Sequence, residues 1–260
     1  MIIDAHAHIY PEKIAEKATA AIGDFYDASM RYHGHMQELI ESGKKIGVDK
    51  FLVHSTATKA AQVESINNFI ISSVNAEPLF VGYGTIHPDY ENFEAELKRI
   101  KGAGLKGVKL HPDFQHFAVD ADCMDPIYEV LASEKMPVLV HAGDSRYDYS
   151  QPHRIAHLLE KHPSLDVIAA HFGGYTQWAE SEEYLCGKRV WFDTSSTTWK
   201  LPAEDANRML KKHGYEKFFF GSDFPMWDHE GEVERLKKYD ISSSQMEMIM
   251  GENARQFLGL

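Results

Sequence analysis

The sequence predicts an α/β fold, a single (β/α)8 barrel of the TIM type. The chain has 260 residues, which suits one large α/β domain. Eight short apolar runs alternate with amphipathic segments, and this alternation is typical of parallel strands and helices. The first run ends without the GxGxxG motif of a dinucleotide-binding open sheet. We therefore expect a closed barrel rather than an open sheet, with residues 1–260 in one domain.

The eight apolar runs are rich in Val, Ile, Leu and Phe, as expected for strands that are buried on both faces. In chain order they are Met1–Ala5, Lys50–His54, Leu79–Ile86, Gly107–Leu110, Pro137–His141, Asp166–Ala170, Arg189–Asp193 and Lys217–Gly221. Each run predicts one barrel strand.

Helical patterns follow most of these runs. They cover Ala60–Val74, Asn92–Lys101, Pro126–Ser133, Pro152–Lys161, Ala203–Lys212 and Ser243–Leu258. Helix-start signals support two of them, because a proline at the first helical position is favoured. The connection over residues 9–49 is longer than one helix requires, and we expect it to form a lid or rim over the site.

Composition restricts the partners. The net charge of −12 disfavours nucleic acid and anionic membranes, but a local cationic pocket could still take an anionic small molecule. The two cysteines form no CxxC pair, and neither a signal peptide nor an apolar stretch of about 20 residues is evident. We expect a cytoplasmic enzyme that acts on a small molecule, and we leave a homo-oligomer open.

Polar residues stand at the carboxyl ends of the predicted strands, where barrel enzymes place their active sites. They are His6, His8, His54, His87, His111, His141, His171 and Asp223. In an extended strand His6 and His8 point the same way with Cα atoms roughly 6.6 Å apart. Two imidazoles at that spacing can reach one ion through bonds of about 2.0–2.1 Å.

Strand alternation also predicts what lies beneath these groups. Ala169 should share a face with His171, and Gly221 should share a face with Asp223. Such small residues would fit the narrowing interior of a barrel.

The same alternation turns Lys109 and His111 inward. A lysine inside a barrel is costly unless it is paired or used chemically. Lys109 could pair with an acid such as Asp4, bind an anionic substrate, or ligate metal after carboxylation. His111 could bind substrate or cap the following loop, and Arg146 follows the fifth strand closely. We expect Lys109, His111 and Arg146 to bind substrate.

Taken together, four motifs resemble the amidohydrolase superfamily. Within it they resemble the amidohydrolase-2 branch, which includes aminocarboxymuconate semialdehyde decarboxylase and related metal-dependent hydrolases. In chain order the motifs are Asp4-Ala-His6-Ala-His8, Val138-Leu-Val-His141, Ala169-Ala-His171-Phe-Gly-Gly and Gly221-Ser-Asp223-Phe-Pro.

The resemblance implies roles for these residues. His6, His8, His141 and Asp223 would hold one divalent ion, with zinc expected and manganese as the alternative. His171 would polarise the substrate or move a proton, and Asp223 would also take a proton from a metal-activated water. A zinc ion lowers the pKa of bound water to about 7, which suits hydrolysis at neutral pH.

Three functions remain open from the sequence. The leading hypothesis is a metal-dependent hydrolase of a small, carboxylate-bearing lactone, ester or amide. The second is a non-oxidative, metal-dependent decarboxylase of a carboxylated unsaturated or aromatic acid. The third, a non-catalytic binding barrel, is disfavoured because folding alone does not require four polar groups to converge.

Overall fold

The computed structural model describes residues 1–260 and contains eight parallel strands in the order β1 to β8. The strands are β1 Ile3–His8, β2 Lys50–His54, β3 Phe80–Thr85, β4 Gly107–Leu110, β5 Val138–Val140, β6 Val167–Ala169, β7 Trp191–Asp193 and β8 Phe218–Phe219. Every predicted strand is present, and most are shorter than their apolar runs.

The barrel closes between the last strand and the first. The Ala5 amide donates to the Phe220 carbonyl at 2.8 Å, and the Asp223 amide donates to the His6 carbonyl at 2.9 Å. The His8 amide donates to the Phe224 carbonyl at 2.7 Å. These bonds extend beyond β8 and confirm the (β/α)8 barrel.

Twelve α-helices surround the strands. They are α1 Glu12–Tyr26, α2 Met36–Lys44, α3 Val63–Ala76, α4 Phe93–Gly102, α5 Pro112–Gln115, α6 Asp125–Ser133, α7 Pro152–Lys161, α8 Trp178–Tyr184, α9 Ala203–His213, α10 His229–Leu236, α11 Ser243–Glu247 and α12 Asn253–Leu258. A π-helical turn over Met248–Glu252 joins α11 to α12. None of the helices combines the length and apolarity that crossing a bilayer demands.

Two apolar layers divide the core. The larger lies between strands and helices and includes Val108, Leu110 and Ala169. The smaller fills the barrel interior and includes Leu139 and Ile168. Alternation along β4 is therefore as predicted, because Lys109 is fully buried on the interior side.

Residues 9–49 contain α1 and α2 and the loops around them. Helix α1 lies beside the carboxyl ends of the strands, where Ile14 and Tyr26 line the same cavity as His6 and His8. The segment therefore forms part of the cavity wall.

Candidate metal centre and active site

The HxH pair reaches the cavity because β1 carries a β-bulge. The pairing of β1 with β2 shifts between Asp4 and Ala7, so β1 holds one extra residue there. Ala5 packs in the barrel interior, whereas Ala7 packs in the outer layer. The bulge thus changes which residues face inward and turns His6 and His8 toward the cavity.

Three ligand atoms converge at this point. The Nε2 atoms of His6 and His8 lie 3.3 Å apart, and Oδ1 of Asp223 lies 3.3 Å from the first and 3.5 Å from the second. Bonds of about 2.1 Å at tetrahedral angles separate neighbouring ligands by about 3.4 Å. His6, His8 and Asp223, here called the metal trio, therefore fit one divalent ion.

The neighbours of the trio leave the correct atoms free. Oδ2 of Asp193 lies 2.8 Å from Nδ1 of His6, so this carboxylate accepts a hydrogen bond from the Nδ1–H group and leaves the Nε2 lone pair available. Ser196 Oγ donates to Oδ2 of Asp223, which leaves Oδ1 facing the histidines. Burial opposes ionisation of Asp223, but the neighbouring imidazoles of His6, His8 and His171 together outweigh it and hold the pKa of the carboxyl well below its usual range.

His54, beside the trio, has ring nitrogens that could also bind an ion or a ligand. It is fully buried, its ring lies 4.4 Å from that of His8, and neither ring nitrogen has a hydrogen-bond partner. A ring nitrogen of His54 lies within 4.8 Å of nitrogens of His6 and His8. A buried imidazole without a partner is costly, so this unused nitrogen also fits a bound ion or ligand.

Lys109 lies directly against the trio, with Nζ 3.3 Å from Nε2 of His6. Burial lowers the pKa of its amine to about 8. The suggested pairing with Asp4 is wrong, because Asp4 faces the other side of β1. There it bonds to His229 at 2.9 Å and to the Ser222 hydroxyl at 2.6 Å.

His141 lies apart from the trio. Its Nδ1 is 3.0 Å from Nε2 of His171, and its ring stacks on that of His111 with centroids 4.0 Å apart. No hydrogen bond or ring stacking joins His141 to His6 or His8. The three imidazoles of His111, His141 and His171 therefore form a second histidine group at the base of the cavity.

His171 reaches this group through a change of backbone conformation. Its φ of +61° and that of Phe172, +54°, lie in the left-handed region, so strand alternation ends before His171. The prediction that Ala169 shares its face is wrong, because Ala169 packs outward and Ala170 lies in the interior. Gly221 does point inward beneath the trio, since an added Cβ would lie 3.0 Å from the His6 Cβ.

The tautomer of His171 follows from its partners. Its Nδ1 lies 3.0 Å from the Ser195 carbonyl oxygen, which can only accept, so Nδ1 carries a proton. Burial lowers the pKa of His171 to about 4, so the ring is neutral at neutral pH. Its Nε2 therefore presents a lone pair, which accepts from Nδ1 of His141.

Tyr26, at the end of α1, extends this chain of hydrogen bonds. Its hydroxyl oxygen lies 3.0 Å from Nε2 of His111 and 3.4 Å from Nε2 of His141. Burial raises the pKa of Tyr26 well above its usual value, so the hydroxyl keeps its proton. Because Nδ1 of His111 accepts from the Phe114 amide, Nε2 of His111 donates to the Tyr26 oxygen, and the hydroxyl proton is left to donate to His141. Sequence reasoning missed Tyr26, because nothing local to α1 indicates that it reaches the strand ends.

Asp193 is a second residue that sequence reasoning missed. It accepts hydrogen bonds from His6, from the His171 amide at 3.0 Å and from Ser195. Burial opposes its ionisation, but the adjacent His6 imidazole, through its electrostatic effect and its hydrogen bond, lowers the pKa to about 2. Its position at the end of the seventh apolar run was an available signal.

Arg146 does not line the cavity. Its guanidinium forms two hydrogen bonds to Asp144, at 2.8 and 2.7 Å, and donates a third to the Phe25 carbonyl. It also stacks over the Phe25 and Tyr26 rings at 4.0 and 4.6 Å. The structure thus joins Arg146 to the end of α1, whereas Lys109 and His111 do line the cavity.

The cavity above these residues has a volume of about 720 Å³. Its floor consists of strand-end polar groups, and its outer walls come from α1 and the start of α3. Its charged lining residues are Lys17, Lys59, Lys109 and Asp223, apart from the histidines. A cationic lining in a protein of net charge −12 suits an anionic ligand.

Solved structures share this fold. An uncharacterized TIM-barrel protein from Bordetella bronchiseptica is 17% identical with a TM-score of 0.83, covering 99% of this chain and 98% of that one. A dihydroxybenzoic acid decarboxylase from Polaromonas sp. JS666, with bound manganese and 2-nitroresorcinol, is 15% identical with a TM-score of 0.76, covering 100% and 97%. A putative 2-pyrone-4,6-dicarboxylic acid hydrolase from Pseudomonas putida is 19% identical with a TM-score of 0.70, covering 99% and 97%.

No curated protein matches the sequence. The solved neighbours include decarboxylases and a hydrolase by their names, and at these identities they establish the fold alone. The model of one family, described as amidohydrolase, matches residues 3–260. Since that match spans nearly the whole chain, including all four strand-end motifs, the protein belongs to the amidohydrolase family.

Proposed function

We propose that the protein is a metal-dependent hydrolase of a small lactone, ester or amide that carries a carboxylate. The convergence of the metal trio at 3.3–3.5 Å supports this proposal most directly. Zinc is the proposed ion, with manganese as the alternative, and His141 is the proposed fourth ligand, whose Nε2 would exchange its hydrogen bond with the Tyr26 hydroxyl for the ion. When bound, the ion would supply a metal-activated water at neutral pH.

Two residues of the chain, Asp223 and His171, can carry out the proton transfers. Asp223 is ionised, and its Oδ1 faces the centre of the trio, so it can accept the first proton from water. His171 presents an unprotonated Nε2, which accepts from Nδ1 of His141; by exchanging that hydrogen bond, this nitrogen can take the second proton of the attacking water and return it to the leaving group. Asp193 and Ser195 hold the His6 and His171 rings in place throughout.

The charge distribution supports an anionic substrate. Lys109 is buried at the floor, and Lys17 and Lys59 lie at the mouth, while Asp223 is the one carboxylate in the lining. If Asp223 binds the ion, no free carboxylate repels the substrate. We therefore assign the substrate carboxylate to the side of the cavity nearest Lys109, with His111 beside it.

Decarboxylation is the second candidate, and one observation favours it. A 5-carboxyvanillate decarboxylase from Novosphingobium aromaticivorans, solved with manganese and 4-hydroxy-3-methoxy-5-nitrobenzoic acid, shares the fold with a TM-score of 0.76 at 18% identity. The same trio and Lys109 could bind an aromatic acid. The two reactions differ in whether the substrate gains water or loses carbon dioxide.

Metal analysis and a substrate screen together test the proposal. Purified protein would be analysed for bound metal and then incubated with lactones, esters, amides and carboxylated aromatic acids. Acid release would support hydrolysis, and release of carbon dioxide would support decarboxylation. Tight binding of the same compounds without turnover would support the binding barrel instead.

A further inference from the structure

Helix α1 carries its larger apolar side chains on the face that lines the cavity. Ile14, Ala18, Ile22 and Phe25 recur at helical spacing and line the cavity beside Ala21. None of them is fully buried, and 49% of Ile14 is exposed to solvent. These five residues are here called the α1 wall.

The residues of α1 that are buried are small. They are Ala15, Thr19 and Gly23, also at helical spacing. An added Cβ at Gly23 would lie 2.8 Å from the Ala28 carbonyl oxygen, so this stripe packs closely against the loop after α1. The helix thus buries its small residues and leaves its large apolar ones facing an open cavity, which is unfavourable unless a ligand covers them.

Helix α3 supplies the opposite wall. Ile66 and Phe69 line the cavity one helical turn apart, and Gln62 and Ser65 lie nearer its mouth. The cleft between α1 and α3 is continuous with the floor that holds the metal trio. Its volume of about 720 Å³ lies well inside the range of about 300–1,000 Å³ that is usual for small-molecule sites.

We propose that the substrate is amphiphilic, with an apolar arm in the cleft between the α1 wall and α3. Its carboxylate-bearing head lies at the floor beside Lys109. This inference rests on the proposed function, which supplies the position of the head. The arm is an alkyl chain or an aryl group, because the α1 wall offers it no hydrogen-bonding side chain.

A ligand explains the cleft better than a protein surface does. The α1 wall faces inward across the cleft, and the same cavity ends at buried histidines. A small molecule can cover both the wall and the floor, whereas a folded surface would cover only the rim. The combination of an apolar wall and a cationic floor also complements one amphiphilic anion.

Straight-chain carboxylates from acetate to decanoate are suitable probes, with binding to the metal-loaded protein measured by calorimetry. Each buried methylene contributes about 0.8 kcal/mol, so we expect affinity to rise about fourfold per carbon until the cleft is full. Affinity that does not change with chain length would overturn the proposal.

Two neighbouring substitutions on α1 provide a matched test. Both alanines are exposed, but Ala21 lines the cavity and Ala20 does not, so Ala21→Trp places a large side chain in the cleft and Ala20→Trp places it outside. We expect Ala21→Trp to end the rise in affinity at a shorter chain. Ala20→Trp should resemble the wild type. Identical chain-length curves for the two variants would contradict the proposal.

These results are separable from the proposed function, because binding is measured without turnover. If affinity rises with chain length but the protein hydrolyses no substrate, the apolar cleft is supported and the proposed hydrolase activity is wrong. If the protein hydrolyses a substrate but affinity does not change with chain length, the hydrolase activity is supported and the apolar arm is wrong. Loss of self-association in Ala21→Trp, with no effect on the probes, would assign the cleft to a second copy of the chain.

Discussion

The floor of the cavity and the α1 wall are built in opposite ways. In the floor, hydrogen bonds hold three polar groups in place: His6 is held by Asp193, Asp223 by Ser196 and His171 by Ser195. The α1 wall is apolar, and its ties to the barrel lie at one end. These ties are the Arg146 contact with Phe25 and the Tyr26 contact with His111.

This difference separates chemistry from specificity. Groups that are held by hydrogen bonds on rigid strands can bind an ion and move protons without reorganising. An apolar helix face selects by shape and area instead. Substitutions in the floor should therefore change turnover and metal content, and substitutions at the wall should change binding.

The largest effect is expected for the double variant His6→Ala and His8→Ala. Removing two of the three convergent ligands should reduce metal content from about one ion per chain to nearly none, and abolish turnover. Metal content would be measured by elemental analysis, turnover with the identified substrate and folding by circular dichroism. Full wild-type activity after exhaustive chelation would contradict the role of the ion.

His171→Asn should have the next largest effect. Asparagine cannot shuttle a proton, so turnover should fall by about 10²–10⁴ while metal content is unchanged. The matched variant Asp223→Asn should lower turnover and metal content together, since Oδ1 belongs to the trio. Loss of metal from the His171 variant would make His171 a ligand instead.

Lys109→Met should weaken the binding of an anionic ligand more than the binding of a neutral one. Removing a buried cation should weaken hexanoate binding by roughly 10- to 100-fold, because hydrogen bonds to charged groups contribute about 1.5–3 kcal/mol. Hexanamide, which has no charge, should bind nearly as before. Calorimetry with both ligands tests this, and Lys211→Met, at an exposed residue outside the cavity lining, is the control. Equal losses for the two ligands would leave Lys109 with a structural role only.

The smallest effect is expected at the tie between wall and barrel. Arg146→Met should loosen the end of α1 and weaken octanoate and octanamide equally, by roughly fivefold for about 1 kcal/mol. Arg154→Met is the control, because Arg154 bonds to Asp120 and Asp148 away from α1. A loss for octanoate alone would show that Arg146 binds the substrate anion, as the sequence suggested.

Much of the floor was predictable, because strand ends are recognisable locally. Apolar runs mark the strands, parallel strands bring their carboxyl ends to one side, and the polar residues that follow must meet there. His6, His8, His111, His171 and Asp223 were found in this way. Asp193 meets the same criterion, because it ends the seventh apolar run, so the sequence contains enough to predict it as well.

The sequence by itself thus determined the barrel, the side of it that carries the site and most of the residues in the floor, since these depend on periodicity along the chain. The tertiary structure decided how those residues are oriented. The bulge in β1 and the left-handed backbone at His171 depend on how neighbouring strands pack. The assignment of Asp4 to His229 and of Arg146 to Asp144 and Phe25 likewise depends on contacts that alternation and spacing cannot encode.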